Sequence, residues 1–373
     1  MFLELSSRHR QLQQKVREFV DEIVLPEIMR YEDESVLPME FFRAMGREGF
    51  LKAHIPEEDG GAGLGAMGFC IVSEELARAG AGMIHPGHFQ TLKMLIEHGS
   101  PEQKKRYLAG LLDGEILAAT AITEHEVGSS FARMKTKATR TGDGFAIDGS
   151  KTLINDAAEA DIVNVFAMSE EGISVFLVKK GTPGLHIKKK QDPIGMRSSP
   201  IYEFDLRDCR VTGGEVIGAL GAGLQTFFTA FNFSRLGNAS AALGIAQAAL
   251  DKTIAYLKER QVGNRAASEF QGLRWRIAEL YTELKAACLF RDHTAHMADE
   301  KRDIGFETSQ TKLLSVEVAN KVVGGCIQAT GRYGCLRDSL FDLYLRDAKV
   351  LGTAGGSLEV MKNNIARHLL GAS

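Results

Sequence analysis

The sequence predicts an α+β fold in which helical regions bracket a β-rich middle. Three observations carry this. Apolar residues recur at helical spacing to about residue 117, short β-rich runs fill 118–216, and long alanine-rich helical stretches run from 217 onward. The expected domains are therefore 1–117, 118–216 and 217–373.

In the first region, Leu12, Val16, Phe19, Val20, Ile23 and Val24 mark a helix over Gln11–Ile28. Glu40–Arg47, Gly68–Ala79 and Pro101–Leu112 repeat the pattern, and the glycine-rich stretch 59–65 must be a loop. In the middle, strands are expected at Ala118–Thr123, Met134–Arg140, Phe145–Asp148, Ile162–Met168, Ile173–Val178 and Ile201–Leu206. Turn signals such as Gly142-Asp143-Gly144 separate them, as in an antiparallel sheet or barrel. In the last region Gly223–Arg260 is a long helix whose small residues Ala239, Ala241, Ala242, Gly244 and Ala246 suit the centre of a bundle. Glu269–His296 and Glu307–Thr330 add two more helices.

The formal net charge of −3 and pI near 6.4 give no field favouring nucleic acid or an anionic membrane. The short basic run Lys188-Lys189-Lys190 reads as a solvated strand end. No apolar run approaches the roughly 20 residues of a membrane span. The start, Met1-Phe2-Leu3-Glu4, lacks the features of a signal peptide. Five scattered cysteines show neither zinc spacing nor a disulfide framework. A cytoplasmic protein without metal is expected.

The polar loop Thr123–Ser130, with Gly128 and Ser129, follows a strand and offers backbone N–H groups to a phosphate or flat ring. Its stretch Ala121-Ile122-Thr123-Glu124…Gly128-Ser129 resembles the flavin-binding loop of the acyl-CoA dehydrogenase family. Further likenesses follow in the family's order. They are Asp148-Gly149-Ser150-Lys151, Thr182-Pro183-Gly184-Leu185, Asp208-Cys209-Arg210-Val211, the central-helix stretch Ala242–Leu250, Arg346-Asp347-Ala348-Lys349 and Asn364-Ile365-Ala366-Arg367. The resemblance covers nearly the whole chain.

The resemblance implies an N-terminal helical domain, a middle β domain and a C-terminal four-helix bundle holding FAD, in a homotetramer or homodimer. It implies an acyl-CoA or acyl-carrier-protein substrate and an electron-transfer flavoprotein as acceptor. Carried over by position, Ile122, Thr123, Gly128 and Ser129 border the flavin and its phosphates, and Ile154 and Asn155 lie against the ring. Arg260, Gln271 and Gln328 reach FAD across a subunit interface, Gly331 lies near its adenosine, and Ser357 and Glu359 belong to a second cofactor loop. Ser129, Asn232 and Arg235 match positions that contact the substrate's CoA or pantetheine arm.

The chain departs from the family at the chemistry. Relatives take the α proton with a glutamate whose place is Gly355 here; a minority place the base at the position of Ser234. Neither residue is a carboxylate. His85 and His88, in a segment that lines the acyl pocket by resemblance, are the candidate substitutes, and Asp156 is a weaker one expected to cap toward solvent. Leu153, Asn155 and the Gly331-Arg332 pair also depart from the usual flavin-site residues. Three readings follow: α,β-dehydrogenation of an acyl thioester with an atypical base, elimination, desulfination or oxygen-dependent hydroxylation on the same fold, and an inert partner subunit.

Overall fold

The computed structural model describes residues 4–371; Met1–Leu3, part of the N-terminal stretch considered above, lie outside them. The chain opens with α1 (Ser7–Phe19), capped by the Ser6 hydroxyl accepting from the His9 N–H. A π-turn over Val20–Val24 follows, then α2 (Ile28–Glu34) and α3 (Met39–Arg47). The single helix expected over Gln11–Ile28 is thus broken, and Pro26 sits in the turn that breaks it. Next come α4 (Gly65–Leu76), α5 (Pro86–His98) and α6 (Pro101–Leu112), the last with a full capping box between Ser100 and Gln103.

The middle holds β1 (Ala118–Ala121), β2 (Lys137–Thr141), β3 (Gly144–Asn155), β4 (Ile162–Ser169), β5 (Gly172–Lys179), β6 (Leu185–Gln191), β7 (Ile201–Thr212) and β8 (Val216–Ile217). They form one sheet in the order β6-β7-β3-β2-β4-β5-β8, with β1 alongside β4. The sheet is mixed and not purely antiparallel, because β1 pairs β4 in parallel, from Ala118 opposite Ile162 to Ala121 opposite Val165. The β2–β3 hairpin lies between β1 and β4 in the chain and supplies the crossover that a parallel pair needs.

The rest is helical: α7 (Gly223–Glu259), a small hairpin of β9 (Gln261–Val262) and β10 (Arg265–Ala266), α8 (Gln271–Asp299), α9 (Gly305–Thr330), α10 (Phe341–Leu351) and α11 (Leu358–Leu370). Buried Ala241, Ala242, Leu243, Ile245 and Leu250 of α7 pack with Leu280 and Leu284 of α8 and Val316, Ala319 and Val323 of α9. Gly244 allows α4 to cross closely, since a Cβ there would lie 2.0 Å from the Glu74 carbonyl oxygen.

One carboxylate ties the three regions together. Asp347 of α10 is buried and accepts from the N–H of Ala81, 2.7 Å away, and that of Met196, 2.6 Å away. This gives the Arg346-Asp347 pair a physical role as a clamp between distant loops. No helix among the described residues is long and apolar enough to cross a membrane.

Candidate active site

The loop after β1 is held from beneath by a buried ion pair. Lys151 of β3 donates to Glu124, 2.9 Å away, and to the Ile122 carbonyl at 3.2 Å. Glu124 also accepts from the backbone N–H groups of Lys135 and Thr136 at 2.7 and 3.0 Å. The loop's tip is then presented rather than packed: Gly128 and Ser129 are exposed, and a Cβ on Gly128 would meet nothing within 4 Å. Thr123 is half-buried and Ile122 buried.

The end of β3 is irregular. Its pairing with β7 shifts register between Lys151 and Ile154, and Leu153 and Asp156 both adopt left-handed backbone, with φ of 58° and 60°. The bulge buries Ile154 and turns the side chain of Leu153 outward, 55% exposed, beside half-buried Asn155. An open apolar side chain next to a carboxamide fits the apolar face and polar edge of a flavin ring.

Behind Asn155 runs a chain of hydrogen bonds. Asn155 donates to Ser199 Oγ at 3.0 Å, Ser199 donates to Asp156 Oδ1 at 2.8 Å, and His85 Nδ1 lies 3.4 Å from Asp156 Oδ2. Asp156 is buried, so the expectation of a solvent-facing cap is corrected. Its left-handed backbone turns the carboxylate inward. His85 begins α5 with φ of 39°, is fully buried, and has Nε2 unpartnered.

The two histidines do not face α7. Their rings meet Phe42 edge-on, at centroid distances of 5.2 Å for His85 and 4.9 Å for His88. Burial pushes His88 down to about 3, with His85 adding to the effect, so its imidazole is neutral. His54 is likewise pushed down to about 3 by burial, among Phe69, Phe89 and Phe233. The face of α5 that meets α7 carries Gln90, which donates to Ser234 Oγ at 3.2 Å.

Around Gly355 the structure gathers residues from α7 and α9. Gly355 and Gly356 have φ of 67° and 91°, a left-handed turn that glycine adopts without strain. A Cβ on Gly355 would lie 2.1 Å from Asn238 Nδ2 and 3.5 Å from Lys312 Nζ. The seat of the family's glutamate is therefore not an open vacancy, because the Asn238 carboxamide approaches it. Lys312 is buried and donates to the carbonyls of Ala354 and Gly356. Arg235, buried, donates to Asn232 Oδ1 at 2.8 Å and lies over the Phe231 ring at 4.8 Å. Ser357 caps α11 by accepting from Val360 N–H, and Glu359 is exposed.

The remaining positions expected to bind the cofactor gather elsewhere. Arg260, Gln271, Gln328 and Gly331 are exposed. The Arg260 carbonyl accepts from Ala267 N–H just before α8, and Tyr256 stacks on Tyr333 at 4.4 Å, so they share one end of the bundle. The loop after β1 instead abuts the start of α7, where Phe131 packs on Phe227 at 5.5 Å. By helix rise these two ends of α7 lie about 50 Å apart.

Asn238 and Lys312 were not among the expected site residues. An amide within the small-residue stretch of α7, four residues after Ser234 and so on its face, was the available signal. Lys312, the single cation within the otherwise uncharged Thr308–Val316, was another.

A helical region, a mixed sheet with a bulged, open strand end, and a bundle make up the architecture, in that order along the chain. Models of the acyl-CoA dehydrogenase N-terminal, middle and C-terminal domains match residues 6–115, 119–209 and 221–370. The chain belongs to the acyl-CoA dehydrogenase family. It is 32% identical to the mitochondrial isovaleryl-CoA dehydrogenase of Pongo abelii, over 97% of this chain and 89% of that protein. Butyryl-CoA dehydrogenase from Megasphaera elsdenii has a similar structure, with a TM-score of 0.96 at 26% identity, covering 99% of this chain and 100% of that one. A glutaryl-CoA dehydrogenase from Mycobacterium smegmatis in complex with FADH2 has a TM-score of 0.94 at 27% identity, covering 98% and 95%. The family's cofactor is FAD, and this chain is an acyl-CoA dehydrogenase-like flavoprotein oxidoreductase.

Proposed function

We propose that the protein carries out α,β-dehydrogenation of an acyl thioester, on CoA or a carrier protein, without a carboxylate base at either usual position. The observation that supports this is the surroundings of Gly355, which hold an amide and a lysine where the family keeps its glutamate.

Ile122, Thr123, Gly128, Ser129, Ile154 and Asn155 would hold the flavin half of FAD, and Ser357 and Glu359 would border it. Arg260, Gln271, Gln328 and Gly331 would hold the dinucleotide of a neighbouring copy, since about 50 Å of helix separates them from their own flavin loop. That division supports a homodimer or homotetramer. The chemistry FAD supplies when bound is acceptance of the substrate's β hydride, with an electron-transfer flavoprotein as the onward acceptor. Asn232 and Arg235, with Ser129, would hold the substrate's carrier arm.

Of the two candidate histidines, the reading keeps His85 as proton acceptor. Asp156 orients its Nδ1, which leaves Nε2 to accept, and the pair adjoins Asn155. His88, walled by phenyl rings and poorly basic, packs the core. Replacing His85 by Ala should abolish anaerobic flavin reduction by an acyl thioester while FAD stays bound. Unchanged reduction in that variant would remove the assignment.

A second reading, elimination or desulfination, draws support from the two buried cations beside Gly355. Loss of SO2 from a sulfinate would leave the C–S electron pair on carbon, which takes up a proton, so desulfination would need a proton donor and no acceptor there.

A further inference from the structure

Two buried carboxylates have no part in the steps above. Glu32 of α2 and Asp347 of α10 are both fully buried, and both reach the loop between β6 and β7. Asp347 accepts from Met196 N–H, 2.6 Å away. Glu32 accepts from the next two, Arg197 N–H at 3.2 Å and Ser198 N–H at 2.7 Å, with Arg346 standing 3.8 Å from it. Asp347 also accepts, at 2.7 Å, from the N–H of Ala81, the first residue of a short 3-10 turn over Ala81–Ile84. Glycines let both segments come this close: a Cβ on Gly195 would lie 2.7 Å from Asp347 Oδ1, and one on Gly80 3.2 Å from Oδ2. The two gripped segments also touch each other, since a Cβ on Gly82 would lie 2.1 Å from Ser198 Oγ.

Each segment ends at the histidine–aspartate pair. The 3-10 turn delivers His85, and the loop delivers Ser199 and Pro200. The Ser199 hydroxyl donates to Asp156 Oδ1 at 2.8 Å, the Pro200 carbonyl accepts from Asp156 N–H at 2.8 Å, and His85 Nδ1 lies 3.4 Å from Asp156 Oδ2. We propose that Asp347 and Glu32 are positioning residues, fixing the two segments that bring the His85 ring and the Asp156 carboxylate together. The inference rests on the reading of His85 as proton acceptor. A buried carboxylate carries a desolvation penalty of several kcal/mol, and apolar side chains would join the same helices without it. What the acids add is direction, because each oxygen aims at a backbone N–H and sets the place of that peptide. Proton transfer is sensitive to such placement: a shift of about 1 Å can cost on the order of a hundredfold in rate.

The test is stopped-flow reduction of the FAD-loaded protein by butyryl-CoA without oxygen. It is run at pH 8, where Asp347, pushed up to about 7 by burial and by the charge of Glu32, is mostly ionised. Asp347→Asn keeps the side chain's size but turns a donor toward one of its two N–H partners. It is expected to lower the limiting rate of flavin bleaching tenfold or more, at full amplitude and with the thioester dissociation constant unchanged. The slowing by deuterium at the substrate's α carbon should grow as well. Glu32→Gln leaves the Ala81 contact alone, so it should act in the same direction more weakly, and it replaces Asp347→Asn if that variant loses its flavin. A tie that serves stability alone would lower the amplitude, as chains leave the FAD-loaded pool, and leave the rate and the deuterium effect of the rest intact. That result, or unchanged kinetics, overturns the proposal. His85→Ala is run alongside. Bleaching that survives in it overturns the proton-acceptor reading and this inference with it, whereas loss there beside unchanged kinetics in Asp347→Asn overturns this inference alone.

Discussion

The end of β3 and the turn at Gly355 treat buried charge in opposite ways. At β3, Glu124 is met by Lys151 and two backbone N–H groups, and Asp156 by Ser199 and His85. At Gly355, Lys312 and Arg235 lie buried with no carboxylate. A group of charges satisfied from within holds a shape whether or not a ligand is present. Charges left over are satisfied only when something binds. On the proposed reading the first region is scaffold for the cofactor, and the second is where the chain departs from the residues expected of its family.

The largest expected effect breaks the satisfied side. Lys151→Met strands Glu124 in the interior, so unfolding free energy should drop by about 3–5 kcal/mol in urea denaturation. Flavin absorbance per chain should fall with it as the loop loosens.

Acid should expose the histidine core next. His54 and His88, held near 3 by burial, take up protons more readily when unfolded. Stability is therefore lost as pH falls from the ordinary histidine value near 6.5 toward 3, by about 1.4 kcal/mol per pH unit for each ring. In His88→Leu, the slope of unfolding free energy against pH should be about half as steep, which denaturation at a series of pH values would show.

Lys312 works in the basic direction. Its folded value of about 7 lies below the ordinary lysine value of 10.5, so the unfolded chain binds the extra proton between the two. Stability should rise with pH above about 7, by about 1.4 kcal/mol per unit, and Lys312→Met should remove that rise. A tight anionic ligand should also flatten it by holding the lysine charged. The smallest effect belongs to the helix contact: Gln90→Ala should cost about 1 kcal/mol through its lost bond to Ser234.

How far the sequence could be read depended on local signals. The helix expected at Pro101–Leu112 matches α6, where serine, proline and glutamine mark the start by themselves. α5 had no such legibility: His88, Gln90 and Thr91 are buried along with its apolar residues, so no polar stripe betrays the helix. β6 was legible only at its basic end: Lys188–Lys190, read as a solvated strand end, lie exposed in this mostly charged edge strand. The parallel pairing of β1 with β4 is a long-range fact that no local run of residues encodes. At the candidate site, the absent glutamate was plain from Gly355, but the amide and lysine around it come from helices 117 and 43 positions away and met only on folding. Asp156 was misjudged because its left-handed backbone, which turns it inward, leaves no mark in sequence.

The central claim is a flavin oxidoreductase of acyl thioesters that works without a resident carboxylate at the usual seats. Anaerobic rapid mixing of the FAD-loaded protein with butyryl-CoA, beside a relative that carries the usual glutamate, tests it most directly. The account predicts bleaching of the bound flavin that is slower than the relative's, with a histidine in place of the carboxylate, and that is lost in His85→Ala. Bleaching at the relative's rate, or a purified protein that holds no flavin, would contradict it.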